Sequence, residues 1–409
     1  MENKENARKG IILSILYPFG GLVYALRRIR SKEAAVCFFI FCTYFGFAFI
    51  YYDGTGRMGE GKDSERYALA LKEAHTMDCS LSQYIEYRER EDYYANIMLY
   101  TVSRFTGNPQ IFYGVVTLIM AIFLVKSSWI IIYRTNKNKF VYLCLIAMLL
   151  VSPVWKILGI RWWTALYVFL YGLLSYLFED KKSKLLWCFV SVLIHFTFLF
   201  PIYMLLAWLV LPKKNIAPYV VIFAILSLMG GVDISIFRNL VSRMIPNAYD
   251  QDMIIGFMTF EYRAKHNWFA DSGRIVSIYL NLFIVLCLFF KARKLIEVDN
   301  LLRKFMILVL MMASLCLFIN FAPWGRRFLG LSNLLLFALY ALVLSNRVIN
   351  DAIEKPMHIA KPFIIYYVLF QLHFGSYSIG ALNLFFGNFI TVFFYNDNIP
   401  IQFYIDRLF

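Results

Sequence analysis

The sequence predicts an all-α fold, a polytopic integral membrane protein with about 11–13 transmembrane or re-entrant helices and two larger outside loops. Three observations predict it. Apolar runs of roughly 17–25 residues, the length a helix needs to cross a bilayer, recur along the chain. Charged residues make up only 16% of the 409 positions, against about 25% in a soluble domain. The strict apolar–polar alternation of a membrane β-barrel strand is missing. The chain reads as a single polytopic domain, residues 1–409.

Taken in order, the first element is the apolar run Ile11–Leu26. Its charged leader and the triplet Val23-Tyr24-Ala25 look like a signal peptide. The basic stretch Arg27–Lys32 follows at once and resists translocation, so the helix reads as retained. Further basic clusters lie at Arg134–Lys139, Lys181–Lys184, Lys213–Lys214 and Lys291–Lys294. By the positive-inside rule all of them are expected to be cytoplasmic. Ala34–Tyr52 then runs outward, and 53–110 is a first outside loop, with an interfacial helix expected over Ser80–Asn96. Ile111–Tyr133 returns inside. Phe140–Val154 goes out and Trp162–Phe178 comes back, which leaves Lys156 and Arg161 outside. The pair Ile216–Gly230 and Ile275–Phe290 encloses a second outside loop, 231–274. Leu301–Asn320 and Phe328–Leu344 place Arg326 and Arg327 outside. Pro362–Phe374 and Ile379–Tyr395 complete the set.

The run Leu185–Leu211 breaks the parity. A helix of that length reaches about 40 Å, too short for two ordinary spans, yet lysines flank both ends. It reads either as a hairpin of two short helices with His195 near the outer turn, or as one tilted helix.

Charge supports the orientation. Between Asp53 and Asp92 the first loop holds 10 acids and 6 bases, a net of −4; the whole chain carries +15, so the remainder carries +19. The positive excess sits in short clusters at helix ends, which fits anionic lipid rather than nucleic acid. Of the 7 cysteines, all but Cys79 lie in apolar runs, so neither a disulfide framework nor a metal site is indicated. Motifs for ATP hydrolysis or metal-dependent proteolysis do not occur in a convincing context.

Several ionisable groups fall on the outside face. In Gly59–Tyr67, "GEGKDSERY", Asp63 and Tyr67 share a face if a helix starts at Ser64, with Asp63 at its N-cap. Arg57 stands just before; Lys62, Glu65 and Arg66 read as solvated. Arg161 lies in "GIRWWTAL", where it either binds an anion or snorkels beside an aromatic belt. His195 lies in "VLIHFTFLFP", and an ionisable group at membrane depth usually faces a cavity or a partner. Arg326 and Arg327, in "APWGRRFLG", suit bidentate binding of phosphate. Arg263 and His266, in "TFEYRAKHNWFADSGR", sit among aromatics that suit either a glycan or an ordinary amphipathic loop. Together these groups suit a phosphate-bearing lipid substrate handled at the outer surface.

The arrangement resembles the EpsG family of Wzy-like polysaccharide polymerases. The resemblance rests on four places in order: Asp-x-x-x-Tyr at Asp63–Tyr67, Gly-Ile-Arg at Arg161, Ile-His-Phe at His195, and an arginine before a late helix at Arg326–Arg327. It spans about Phe45 to Leu344. Departures are Trp162-Trp163 after the arginine and Thr197 after the histidine. What the resemblance implies is glycosyl transfer on the outer face of a bacterial cytoplasmic membrane. Repeat units on a polyprenyl diphosphate would be joined into an exopolysaccharide, capsule or O-antigen. It implies Asp63, His195 and Arg161 as catalytic, with Arg57, Tyr67, Arg326, Arg327, Arg263 and His266 toward the diphosphate or glycan. No cofactor or metal is implied. Implied partners are the lipid-linked oligosaccharide, membrane lipid, and chain-length and export proteins. Rival readings are a polyprenyl-phosphate-sugar glycosyltransferase and a lipid-linked oligosaccharide flippase.

Overall fold

The computed structural model describes residues 2–50, 63–88, 93–151, 154–229, 268–320, 327–395, 397 and 399–407. Its helices, in chain order, are α1 (Glu2–Leu16), α2 (Pro18–Arg27), α3 (Lys32–Ala48), α4 (Asp63–Thr76), α5 (Leu81–Arg88), α6 (Tyr93–Ser103) and α7 (Pro109–Ile132). They continue with α8 (Lys139–Val151), α9 (Ile160–Glu179), α10 (Leu185–Ile194), α11 (Leu199–Val210), α12 (Ala217–Met229) and α13 (Trp268–Val298). The rest are α14 (Asn300–Ile319), α15 (Phe328–Leu344), α16 (Arg347–Gly375), α17 (Ala381–Phe386), α18 (Thr391–Phe394) and α19 (Ile401–Ile405). Among the described residues there is no strand, only the isolated bridges Phe49–Ile379 and Gly380–Pro400. Four helical runs are long and apolar enough to cross a membrane: α7, the run Lys139–Ile157 that α8 opens, Ser272–Val298 of α13, and α14. Shorter apolar helices accompany them. The chain is a multi-pass helical membrane protein, as its composition predicts.

Two compact units make up the chain. The first comprises Met1–Tyr133, Pro153–Leu199 and Leu372–Phe409. Its centre is α3, α7 and α9, with α10 against α9. Ser31 caps α3 by accepting from the Ala34 N–H at 3.0 Å. Asn108 caps α7 by accepting from the Gln110 N–H at 2.9 Å, with Pro109 in the first turn, where a missing N–H costs nothing. At Gly172 of α9 a Cβ would lie 2.8 Å from the Lys184 carbonyl oxygen. Only glycine lets the start of α10 approach so closely. Before that approach, Asp180 ends α9 in the left-handed region at φ 53, and the chain reverses into α10.

The second unit comprises Arg134–Ser152 and Phe200–Gln371. Every residue of α15 is buried. A helix apolar on all sides belongs at the middle of its unit, and α8, α13 and α14 pack around it. One polar seam crosses this core. Asn281 donates to Asn333 at 2.6 Å, and Asn333 donates to Tyr367 at 2.7 Å. Tyr340 donates to the Asn281 side chain at 3.1 Å. Buried amides are costly unless bonded, and these are bonded to one another.

Several elements differ in extent from the hydropathy pattern. The run Ile11–Leu26 is two helices, because Pro18 cannot continue α1 and instead opens α2. The interfacial segment Ser80–Asn96 contains α5 and the start of α6. The run Ile379–Tyr395 holds two short helices, α17 and α18, separated at Gly387 and Asn388. By contrast, α16 runs through both Pro356 and Pro362. The run Leu185–Leu211 is not one helix. It stops at Ile194, passes through His195 in an extended conformation (φ −153, ψ 114), and resumes after a short 3-10 turn.

Candidate active site

The site builds up from the first turn of α4. Asp63 is the first residue of that helix, one position earlier than a helix starting at Ser64 with Asp63 as its N-cap. Its carboxylate pairs with Arg66 one turn on, and the Arg66 side chain is 52% exposed. Such a surface pair contributes about 0–1 kcal/mol. Glu65 and Tyr67, on opposite sides of the helix, are 8% and 5% exposed. Glu65 is therefore buried rather than solvated. The Tyr67 ring packs against Phe112 at 6.4 Å. Tyr113 donates to the Ser64 carbonyl at 3.0 Å, which fastens the first turn of α4 to the first turn of α7.

Arg161 is the second residue of α9 and is half-buried. Gly159 precedes that helix and offers no side-chain cap, so the first-turn N–H groups add positive potential beside the guanidinium. Next to Arg161 lies a packed aromatic cluster rather than an exposed belt. Trp162, 2% exposed, packs edge-on against Trp163 at 4.5 Å and against Phe198 at 5.5 Å. The Lys156 ammonium sits 5.1 Å from the centre of the Trp163 ring. The sequence pattern left Lys156 outside without a role.

His195 is buried at 8% exposure. Its Nδ1 accepts from the Thr197 N–H at 3.4 Å and lies 2.9 Å from the Thr197 hydroxyl. With Nδ1 held as acceptor, the proton of the neutral ring sits on Nε2. Thr197 thus performs the hydroxyl's work in fixing the tautomer.

Packing gathers these groups at one end of the first unit. Phe198, three residues past His195, meets Trp162, one residue past Arg161, so the α10 break lies level with the start of α9. Helix α6 packs against α4, α9 and α10. The end of α3 joins through Phe49, whose ring is 5.0 Å from Tyr113. Asp63, Glu65, Tyr67, Arg161 and His195 therefore share this end. In the second unit Arg327 stands exposed at the start of α15. Arg57, Arg263, His266 and Arg326 lie outside the described residues. Among the described residues no group of three or more His, Cys, Asp or Glu side chains is placed to hold a metal ion.

The sequence reasoning passed over Glu65. No periodic signal marks it: the buried stripe of α4 is Ser64, Tyr67, Ala68, Leu71 and Ala74, and Glu65 is in phase with the exposed Leu69 and Lys72.

No curated protein and no solved structure matches the chain. The family model described as the EpsG family matches residues 38–389, a span that takes in Asp63, Arg161, His195 and Arg327. The chain belongs to the EpsG family, a family of Wzy-like polysaccharide polymerases.

Proposed function

We propose that the protein is a glycosyltransferase that polymerises polyprenyl-diphosphate-linked oligosaccharide repeat units into a surface polysaccharide. The reaction takes place at the outer face of a bacterial cytoplasmic membrane. The observation that carries this reading is the shared end of the first unit, where Arg161 at the uncapped start of α9 meets the α10 break at His195. A cation, a helix N-terminus without a side-chain cap and an imidazole lie at that end of the unit, and such a set suits an anionic leaving group.

In the proposed reaction a hydroxyl of the acceptor repeat attacks the anomeric carbon of the donor. The glycosidic C–O bond to the diphosphate breaks, and the lipid diphosphate departs with the electron pair. Arg161 and the His195 Nε2–H hold the diphosphate as its charge grows. The motif at Arg326 and Arg327 keeps its own reading as a phosphate-binding pair. The donor is already activated, so the reaction calls for no nucleotide. Partners are the lipid-linked substrate, membrane lipid, and the chain-length and export proteins of the same route.

The test is complementation of a deletion strain with Asp63→Ala, Arg161→Ala, His195→Ala and Arg327→Ala at matched expression, reading polymer length. Lipid-linked single repeats without polymer are expected for Arg161→Ala and His195→Ala. Wild-type polymer from all four variants would overturn the reading. A product extended by one sugar from a lipid monophosphate would favour a polyprenyl-phosphate-sugar transferase instead.

A further inference from the structure

We infer that the segment Ser376–Gln402 is a re-entrant cap at the membrane–water interface, that its apolar face is covered by membrane lipid, and that its run Ile379–Tyr395 does not cross the bilayer. The inference stands apart from the glycosyl-transfer reading, and three observations lead to it.

The first is closure. The segment belongs to the first unit, and its two ends are bonded to each other. The Gln402 N–H donates to the Ser376 carbonyl at 3.1 Å, and the Ser376 hydroxyl donates to the Gln402 side-chain oxygen at 2.7 Å. Just inside that pair, the Ile401 N–H donates to the Ile379 carbonyl at 3.1 Å. A chain that leaves and returns at one level has made no crossing. Its helices agree: α17 has 6 residues and α18 has 4. They rise only about 9 and 6 Å, against about 30 Å of hydrocarbon.

The second is level. The segment is tied to the last turns of α3 and to the first turn of α7, a helix long and apolar enough to cross a membrane. The Ile50 N–H donates to the Ser378 carbonyl at 2.9 Å, and Phe49 forms a bridge with Ile379. Tyr44 donates to the Asn383 carbonyl at 2.5 Å. The buried Asp397 accepts from the Asn383 N–H at 2.8 Å, so the returning chain holds α17 as well. Gln110, the second residue of α7, donates to the Val392 carbonyl at 3.4 Å. The rings of Phe389 and Phe393 pack on Phe47 at 6.1 and 5.7 Å. From Tyr44 to the end of α3 at Ala48 the rise is about 6 Å, the depth at which an interfacial helix rests.

The third is the face left open. Between Ser376 and Tyr395 the sequence has no charged residue. Phe386, Ile390 and Phe394 are 76%, 70% and 86% exposed. Large apolar side chains on an uncharged segment, held level with the first turn of a span, belong in the headgroup and upper acyl region. The charged pair Asp406 and Arg407 follows past the closure and is exposed. Arg407 therefore lies on the same side of the membrane as the end of α3.

The experiment uses the full chain in a Cys79→Ser background, reconstituted into vesicles of phosphatidylcholine and phosphatidylglycerol. Phe386→Cys, Phe394→Cys and Arg407→Cys are each labelled with an environment-sensitive fluorophore, and the background protein carried through the same labelling is the blank. The label on Phe386→Cys and Phe394→Cys is expected to be quenched by phospholipid bearing a nitroxide near the headgroup at least about twofold more than the label on Arg407→Cys. It should also be quenched more by that lipid than by one with the nitroxide at the end of the acyl chain. On spheroplasts an impermeant maleimide is expected to label Arg407→Cys together with Lys72→Cys, and to reach Lys182→Cys only after lysis. Arg407→Cys labelling in step with Lys182→Cys would show that the run crosses and would overturn the inference. Stronger quenching from the acyl-chain end would do the same, since it marks a span. Labels on Phe386→Cys and Phe394→Cys that neither lipid quenches would overturn lipid as the cover and point to water or a protein surface instead. Should either phenylalanine variant not fold, Ile390→Cys repeats the reading from the same face.

Discussion

At the scale of single residues, His195 shows how the local chain sets chemistry. The helix ends at Ile194, and the extended conformation of His195 brings its ring back over the N–H and hydroxyl of Thr197. Thr197→Val removes the hydroxyl and keeps the backbone bond, so the ring loses one of its two tethers. A neutral hydrogen bond is worth about 1 kcal/mol, and kcat is expected to fall about fivefold, with Thr197→Ser within about twofold of the wild type. Equal rates for Val and Ser would show that the hydroxyl does not orient the ring. His195, Arg161 and Asp63 were legible as residue types out of place in a greasy chain. The burial of Glu65 was not. Asp63, Glu65 and Arg66 are all charged, and Glu65 shares its helix phase with the exposed Leu69 and Lys72, so no periodicity marks it as buried. Its burial is a tertiary fact.

The module α4–α6 is the element that carries Glu65 and Tyr67, and it is held by polar clasps rather than by a large core. Arg104 donates to the Met77 carbonyl at 2.9 Å and also to the Ala74 carbonyl. His75 lies against the Ser103 carbonyl. Tyr87 donates to the Glu73 carboxylate at 2.6 Å, and that bond raises the phenol above its ordinary pKa. The sign follows from linkage: a group whose folded pKa is raised contributes below its unfolded pKa, about 10 for tyrosine, and loses that contribution as pH rises through the folded value. The clasp is therefore intact at every physiological pH. Of the three ties, Arg104 has the most to lose, since hydrogen bonds from a charged donor are worth about 1.5–3 kcal/mol. Arg104→Met keeps the apolar stem and removes both bonds. Hydrogen exchange across α4 and α6 is expected to quicken by about tenfold or more, while α7 and α14 stay protected. Polymer synthesis should drop in step if the turn Asp63–Tyr67 belongs to the proposed site, because the loosened module carries it. Unchanged exchange in α4 would show that packing alone holds the module. A helix within the acidic segment 53–110 was legible from charge and tyrosine content. Its three short helices were not, because their ends are set by these side-chain-to-carbonyl bonds across 20–30 residues.

Over the whole molecule, fold class was legible because a bilayer acts on local composition. Each span must hold its own backbone hydrogen bonds, so apolar length alone marks it. The breaks at Pro18, His195 and Gly387 fall inside apolar runs, where hydropathy has no contrast to offer. Orientation is a separate matter, and it rests on charge: acidic loop 53–92 on one side, lysine and arginine clusters on the other. Within the first unit, α9 runs from Arg161 at one end to Asp180 at the other, and α10 returns antiparallel to it. One measurement at each end therefore fixes the sidedness of the proposed active end. Lys72 on α4 and Lys182 after α9 are both exposed. Placing a cysteine at each, in a Cys79→Ser background, gives one reporter per side. Lys72→Cys is expected to react with a membrane-impermeant maleimide on intact cells or spheroplasts, and Lys182→Cys only after lysis. The reverse pattern would put Arg161, His195 and Glu65 in the cytoplasm, where sugar nucleotides are available, and the donor would no longer need to be lipid-linked. Protection at both positions would mean that the α4–α6 module is covered by a partner, and labelling after removal of the chain-length protein would identify that cover.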